Sequence, residues 1–201
     1  MWKAFVLSGL FIFLISFKGN DPLFVIPEGW PEPHYDFSKN PVTEAGFQLG
    51  RHLFYDPILS RDTTISCASC HLQATGFAHV DHNLSHGIKG RIGKRNAPAL
   101  MNLAWSSAFM WDGGVNHLEV QPLSPITSPE EMDETLANVL LKLNATQKYK
   151  RLFQQAFGDS LATGQRTLQA LAQFMLMLNS SNSKYDKFMR KEPGGEFNAQ
   201  E

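Results

Sequence analysis

Cys67-Ala68-Ser69-Cys70-His71 sets two thiols two residues apart with an imidazole directly after them. This is the pattern by which a c-type haem is attached: the thiols add to the haem vinyl groups as thioethers, and His71 ligates the iron from the proximal side. Three other chemistries use a Cys-x-x-Cys pair, and each fits worse. A thioredoxin-like redox pair sits in a βαβ setting, which does not surround this one. A structural zinc ion takes four ligands, and the chain has no further cysteine. A plain disulfide leaves His71 without a purpose. One covalently bound haem c is therefore the expected cofactor.

The N-terminus agrees with that chemistry. Met1-Trp2-Lys3 is a short cationic start, Ala4 to Phe17 is almost wholly apolar, and Lys18-Gly19-Asn20-Asp21-Pro22 breaks the run. Residues 1–19 read as a secretory signal with no clear cleavage point, the competing reading being an uncleaved N-terminal anchor. The expected location is the periplasm, where both cysteines are consumed by haem and leave no stray thiol. Lys3 and Lys18 are the only charged residues of the first nineteen. Of the chain's 18 basic and 19 acidic residues the remainder thus keeps 16 and 19, a formal charge of −3. This balance, without a long basic run, argues against nucleic-acid partners and, once the signal is cleaved, against a stable membrane association. About 180 residues then remain, enough for one domain with a real core.

The periodicity is helical. Residues 20–42 carry Pro22, Pro27, Pro31, Pro33 and Pro41 and read as an extended arm laid on the domain. A helix is expected from Thr43, with Phe47, Leu49, Leu53 and Phe54 on one face, to the stop at Asp56-Pro57. A loop then leads into a haem-attachment helix. Residues 76–98 form a long polar, glycine-rich loop, which beside a haem suggests function. Further helices are expected over Glu134–Leu143, Gln147–Phe157 and Thr167–Leu178. No alternating strand pattern occurs, so the fold class is all-α.

Several motifs resemble, in order and with the usual spacings, the first domain of bacterial di-haem cytochrome c peroxidases, a family that includes the methylamine-utilisation-type di-haem enzymes. They are Leu49-Gly50-Arg51-His52-Leu53-Phe54-Tyr55-Asp56-Pro57, Ile65 to His71, Gly93 to Leu100, Phe109-Met110-Trp111-Asp112-Gly113, Leu118-Glu119-Val120-Gln121, Pro125-Ile126 leading to Glu131-Met132, and Asn182 to Asp186. The resemblance implies a cytochrome c-like haem domain with long haem-wrapping loops over 43–190. It implies that His71 is the proximal ligand of the haem that meets peroxide. Glu131 matches the distal carboxylate that shuttles the peroxide proton, Gln121 the amide beside it, and Trp111 the indole lying between two haems. Asn96 matches a residue near a calcium site shared between two domains, so calcium is implied only with a second domain. Arg95 reads equally as a partner of a haem propionate and as an exposed loop residue.

Each of these residues has a plainer reading. Glu131 follows Ser128-Pro129-Glu130 and suits a helix start; Gln121 alone is an exposed helix residue; Trp111 alone is a packing aromatic. Met175 and Met177 sit in an apolar helix and read as core. His79 and His82 read as solvent-facing.

Two departures from the family matter. Where its peroxidases place a distal histidine, after a Ser-x-Gly element, Ser85-His86-Gly87-Ile88 offers Ile88, so no stable distal protein ligand is expected. His86, two residues away, is the only nearby substitute. The second haem motif is also missing: residues 191–201 read as a linker stub toward an absent second haem domain or subunit. The chain is then either a piece of a two-haem protein or a one-haem descendant. The expected activity is reduction of hydrogen peroxide with electrons from a small periplasmic cytochrome or copper protein. The alternatives are a one-haem electron-transfer protein and an oxidase of a protein or organic substrate. Replacing both Cys67 and Cys70 by Ala is expected to abolish haem that stays with the chain through denaturation, as read by intact mass.

Overall fold

The described residues form six α-helices: α1 (Glu44–Tyr55), α2 (Leu123–Thr127), α3 (Leu136–Ala145), α4 (Gln147–Phe157), α5 (Gly164–Leu176) and α6 (Lys184–Met189). The computed structural model describes residues 23–81 and 83–201. The signal expected at 1–19, the first residues of the arm and His82 lie outside them. Among the described residues there is no strand, only three isolated antiparallel bridges, and no helix long and apolar enough to cross a membrane.

Helix α1 starts where the Thr43 hydroxyl accepts from the Gly46 N–H at 3.0 Å, an N-cap of the kind that contributes about 1 kcal/mol. It stops at Asp56, ahead of Pro57, whose ring cannot continue a helix. Its Leu49, Leu53 and Phe54 are buried against α5. That helix is buried nearly all round, from Thr167 to Leu176, as a helix at the centre of a domain should be. The two backbones touch: a Cβ on Gly50 would stand 1.9 Å from the Ala170 carbonyl oxygen and 2.9 Å from Phe174 Cβ. Phe54 and Phe77 close on Phe174 with ring centroids 4.8 and 6.2 Å away. Helices α3 and α4 complete the core through Val139, Leu143, Tyr149 and Phe153.

Gln173 is a buried amide on α5, and both its ends are satisfied. Its nitrogen donates to Asn40 Oδ1 at 2.7 Å and its oxygen accepts from the Thr43 N–H at 3.0 Å. This ties the arm to the start of α1. The arm, residues 23–42, holds no helix or strand and is fastened by aromatics. Phe24 and Trp30 meet Trp105 at 5.7 and 4.7 Å, while the Trp105 indole donates to the Pro31 carbonyl.

Some expectations need correction. The haem-attachment segment is a single 3₁₀ turn, Cys67–Ser69, not a helix. Helix α3 begins at Leu136 instead of Glu134, because the Thr135 hydroxyl caps it from the Asn138 N–H while Glu134 turns inward to pair with Lys142 at 2.9 Å. Helix α5 begins at Gly164, capped by Thr163, three residues before the expected Thr167. His79 does not face solvent: its side chain is 7% exposed and its Nε2 lies 2.7 Å from Asp81.

Ala for Gly in a helix interior normally gains about 1 kcal/mol. At Gly50 the sign should reverse, since the added methyl meets backbone. Gly50→Ala is expected to cost about 2 kcal/mol or more, measured as a lowered urea midpoint.

Candidate functional site

The turn that carries the cysteines is built by two serines. The Ser66 N–H donates to the Ser69 hydroxyl at 3.1 Å, and the Cys70 and His71 N–H groups both return to the Cys67 carbonyl, at 3.2 and 2.9 Å. In a 3₁₀ turn residues three apart eclipse, so Cys67 and Cys70 project to one side. Both line a cavity of about 390 Å³, within the range of small-molecule and cofactor clefts. Phe54 from α1 and Leu171 and Met175 from α5 also line it, so the core helices form its wall.

His71 is oriented from behind. Its Nδ1 lies 2.9 Å from the Phe77 carbonyl, which can only accept. Nδ1 therefore carries the proton and Nε2 keeps its lone pair for a metal. Burial holds the imidazole below its usual pKa, while the Phe77 and Pro98 carbonyls pull the other way. The ring is thus neutral at pH 7, the form that ligates. Burial, and then Cys70, pushes the Cys67 thiol up to about 12. Burial also raises Cys70, partly offset by the Ser85 hydroxyl. Both sulfurs therefore stand as neutral thiols.

The eight residues given a haem, catalytic or calcium role from the sequence line this same cavity: Cys67, Cys70, His71, Arg95, Asn96, Trp111, Gln121 and Glu131. Burial raises the Glu131 carboxyl above the ordinary glutamate range, with the Glu130 charge adding to it. Gln121 turns its amide nitrogen to the Met110 sulfur at 3.5 Å. Trp111 is no core residue: it is 66% exposed and donates to the Asn96 carbonyl at 2.8 Å. Arg95 pairs with Asp112 at 2.7 Å, both half-exposed. Asn96 spends its amide nitrogen on the Asn83 carbonyl at 3.1 Å. Among the described residues no three His, Cys, Asp or Glu side chains cluster as a cation site. Ile88 is fully buried and outside the lining, and His86 is exposed and outside it too. Among the described residues His71 is the only histidine in the lining.

Sequence reasoning missed Ser85. Its hydroxyl is buried at the cavity wall with no hydrogen-bond partner of good geometry, and such an orphan points to a missing guest. Only its place in the Ser-x-Gly element hinted at it. Two thiols on one side, a neutral imidazole with Nε2 available, apolar helical walls and an orphan hydroxyl together fit a covalently held haem.

The sequence profile described as di-haem cytochrome c peroxidase matches residues 44–194. The methylamine utilization protein MauG of Methylorubrum extorquens is 37% identical over 169 residues, covering 81% of this chain and 45% of that protein. The cytochrome c551 peroxidase of Pseudomonas aeruginosa is 31% identical, covering 80% and 46%. The crystal structure of a MauG-like protein associated with microbial copper homeostasis superposes with a TM-score of 0.77 at 32% identity, over 87% of this chain and 51% of that one. The chain spans about half the length of the curated relatives it matches.

The raised Glu131 carboxyl binds its proton more tightly folded than unfolded. Its contribution to stability is therefore present at low pH and lost as pH rises through its folded pKa. Glu131→Gln is expected to be more stable than the parent at pH 7, and the gap to close toward pH 4, in urea titrations at both pH values.

Proposed function

Because this chain belongs to the di-haem cytochrome c peroxidase family, we propose that it carries a peroxide-reducing haem c, bound through Cys67, Cys70 and His71. The observation that carries the reading is that these three residues and the half-buried Glu131 and Gln121 line one cavity. When bound, the haem supplies the iron at which the O–O bond breaks and through which electrons arrive. The balance is H₂O₂ + 2 e⁻ + 2 H⁺ → 2 H₂O.

The chain's own groups handle the protons. Heterolysis needs a proton moved from the inner peroxide oxygen to the outer one. The Glu131 carboxylate accepts it at the first and returns it at the second, work worth about 10²–10⁴-fold when the group is well placed. Burial raises its pKa toward the working pH, which suits a group that must both take and give. The Gln121 amide, in the same lining, orients the peroxide. The apolar walls keep bulk water out, which strengthens each of these contacts.

Trp111 at the rim is the proposed relay for incoming electrons. Arg95, in the lining and paired with Asp112, is the proposed partner of a haem propionate. The electrons come from a small periplasmic cytochrome or copper protein, by way of a second haem domain or subunit. Asn96 contributes to a calcium site only in company with that second domain. The chain is exported, with residues 1–19 as its signal.

The burial of Ile88 and the exposure of His86 favour an open distal face, ready for peroxide without prior reduction. They also lend support to a second reading, the oxidation of a protein or organic substrate by the same haem. A one-haem electron carrier would instead need a second axial ligand.

The test is stopped-flow mixing of the ferric holoprotein with peroxide. A fast reaction is expected, slowed about 10²–10⁴-fold in Glu131→Gln. Since the base form of Glu131 is needed, the rate should fall on the acid side, with its limb above the ordinary glutamate range. A slow, Glu131-independent reaction would leave the carrier reading in its place.

A further inference from the structure

Asp133 stands two residues beyond Glu131 with φ of 48°, a left-handed backbone that Asp and Asn tolerate better than most residues. Its carboxylate, 16% exposed, lies between arginines from two separate loops: Arg61 Nη2 at 3.3 Å and Arg91 Nη1 at 3.0 Å. The same Arg91 nitrogen donates to the Pro129 carbonyl at 2.6 Å.

The backbone repeats the pattern. The Arg61 N–H donates to the Met132 carbonyl at 3.0 Å, and the Ile88 N–H to the Glu131 carbonyl at 2.8 Å. Gly87 sits so close that a Cβ there would come within 2.1 Å of the Glu130 oxygen and 2.5 Å of the Glu131 oxygen. The turn 128–134 is thus gripped by two segments. One runs into the cysteine turn; the other begins at Ser85, beside Cys70.

Exposed ion pairs contribute little stability, and both arginines are substantially exposed. What this clasp supplies is geometry. Glu131 lies on a short turn outside any helix, tied at Met132 and Glu134 to the α2 carbonyls of Pro125 and Ile126, and Asp133 is where three segments of the chain converge.

We infer that Asp133 is a positioning residue: held between Arg61 and Arg91, it fixes the turn that presents the Glu131 carboxyl to the haem cavity and keeps the 85–91 loop closed on that turn. The inference rests on the peroxide-reacting role proposed for Glu131.

Asp133→Asn tests it, since Asn keeps the shape and tolerates the left-handed backbone but loses the charge that holds both arginines. Arg91→Gln, on the surface, releases half of the clasp and serves as a second variant. In the holoprotein, Asp133→Asn is expected to keep its haem content. Its reaction with peroxide should slow roughly ten- to a hundredfold, with the acid limb of the pH profile displaced. The Ile88 and Arg61 amides should exchange faster with solvent. Arg91→Gln should show the same changes in smaller measure.

In a Glu131→Gln background, Asp133→Asn should slow the reaction no further, because the two act through one group. An unchanged rate and pH profile, or slowing that multiplies with that of Glu131→Gln, overturns the inference. If Glu131→Gln alone leaves the peroxide reaction unchanged, the catalytic reading of Glu131 fails by itself, and amide exchange decides the clasp. Faster exchange at Ile88 and Arg61 in Asp133→Asn then upholds it, and unchanged exchange overturns it.

Discussion

The backbone of α1 rests directly on that of α5 at Gly50 and Ala170, and the cavity exists because of that contact. With the two axes so close, Phe54 reaches past Phe174 toward Phe77, and Leu171 and Met175 present apolar walls. Phe77 is also the residue whose carbonyl orients His71. The helix pair therefore sets both the wall of the site and the angle of its imidazole. A methyl at Gly50 would separate the helices and disturb both.

The electrostatics of the cavity favour neutral groups. Burial raises Cys67, Cys70 and Glu131 and lowers His71, so each is driven toward its uncharged form. For the thiols and the imidazole this is the state from which thioethers and an iron ligand are made. For Glu131 it is a bias toward holding a proton, which suits the proton-transfer role proposed for it. The compensated charges stand further out: Arg95 with Asp112, Lys94 with Glu130, and the two arginines on Asp133. The site thus has a neutral interior within a paired ionic rim.

Between α1 and α3 the chain is mostly loop, and the polar side chains of the site lie there. Such loops hold their shape only when their backbone groups find partners. Here the partners are other loops: Ile88 on Glu131, Arg61 on Met132, Tyr35 on Ala104 and Asn102 on Leu178. The short helices fit this picture. Helices α2 and α6, of five and six residues, are too short to form alone and owe their existence to what surrounds them.

The sequence by itself determined what is local and covalent. Five consecutive residues carry the proposal of haem attachment, because the pattern lies wholly in the spacing of Cys67, Cys70 and His71. The helices α1 and α4 could likewise be read from apolar spacing, and the ends of α1 from Thr43 and Pro57, since those signals act within a turn. Family resemblance pointed to Glu131 and Gln121, which taken singly read as an N-terminal acid and a surface amide. Only the tertiary structure decided that they share a cavity with His71, that Trp111 stands at its rim, that His86 stays outside it and that Asp133 gathers two distant arginines. Those facts depend on contacts between segments tens of residues apart. Neither propensity nor periodicity encodes such contacts; they emerge when the α1–α5 core fixes where each loop begins and ends.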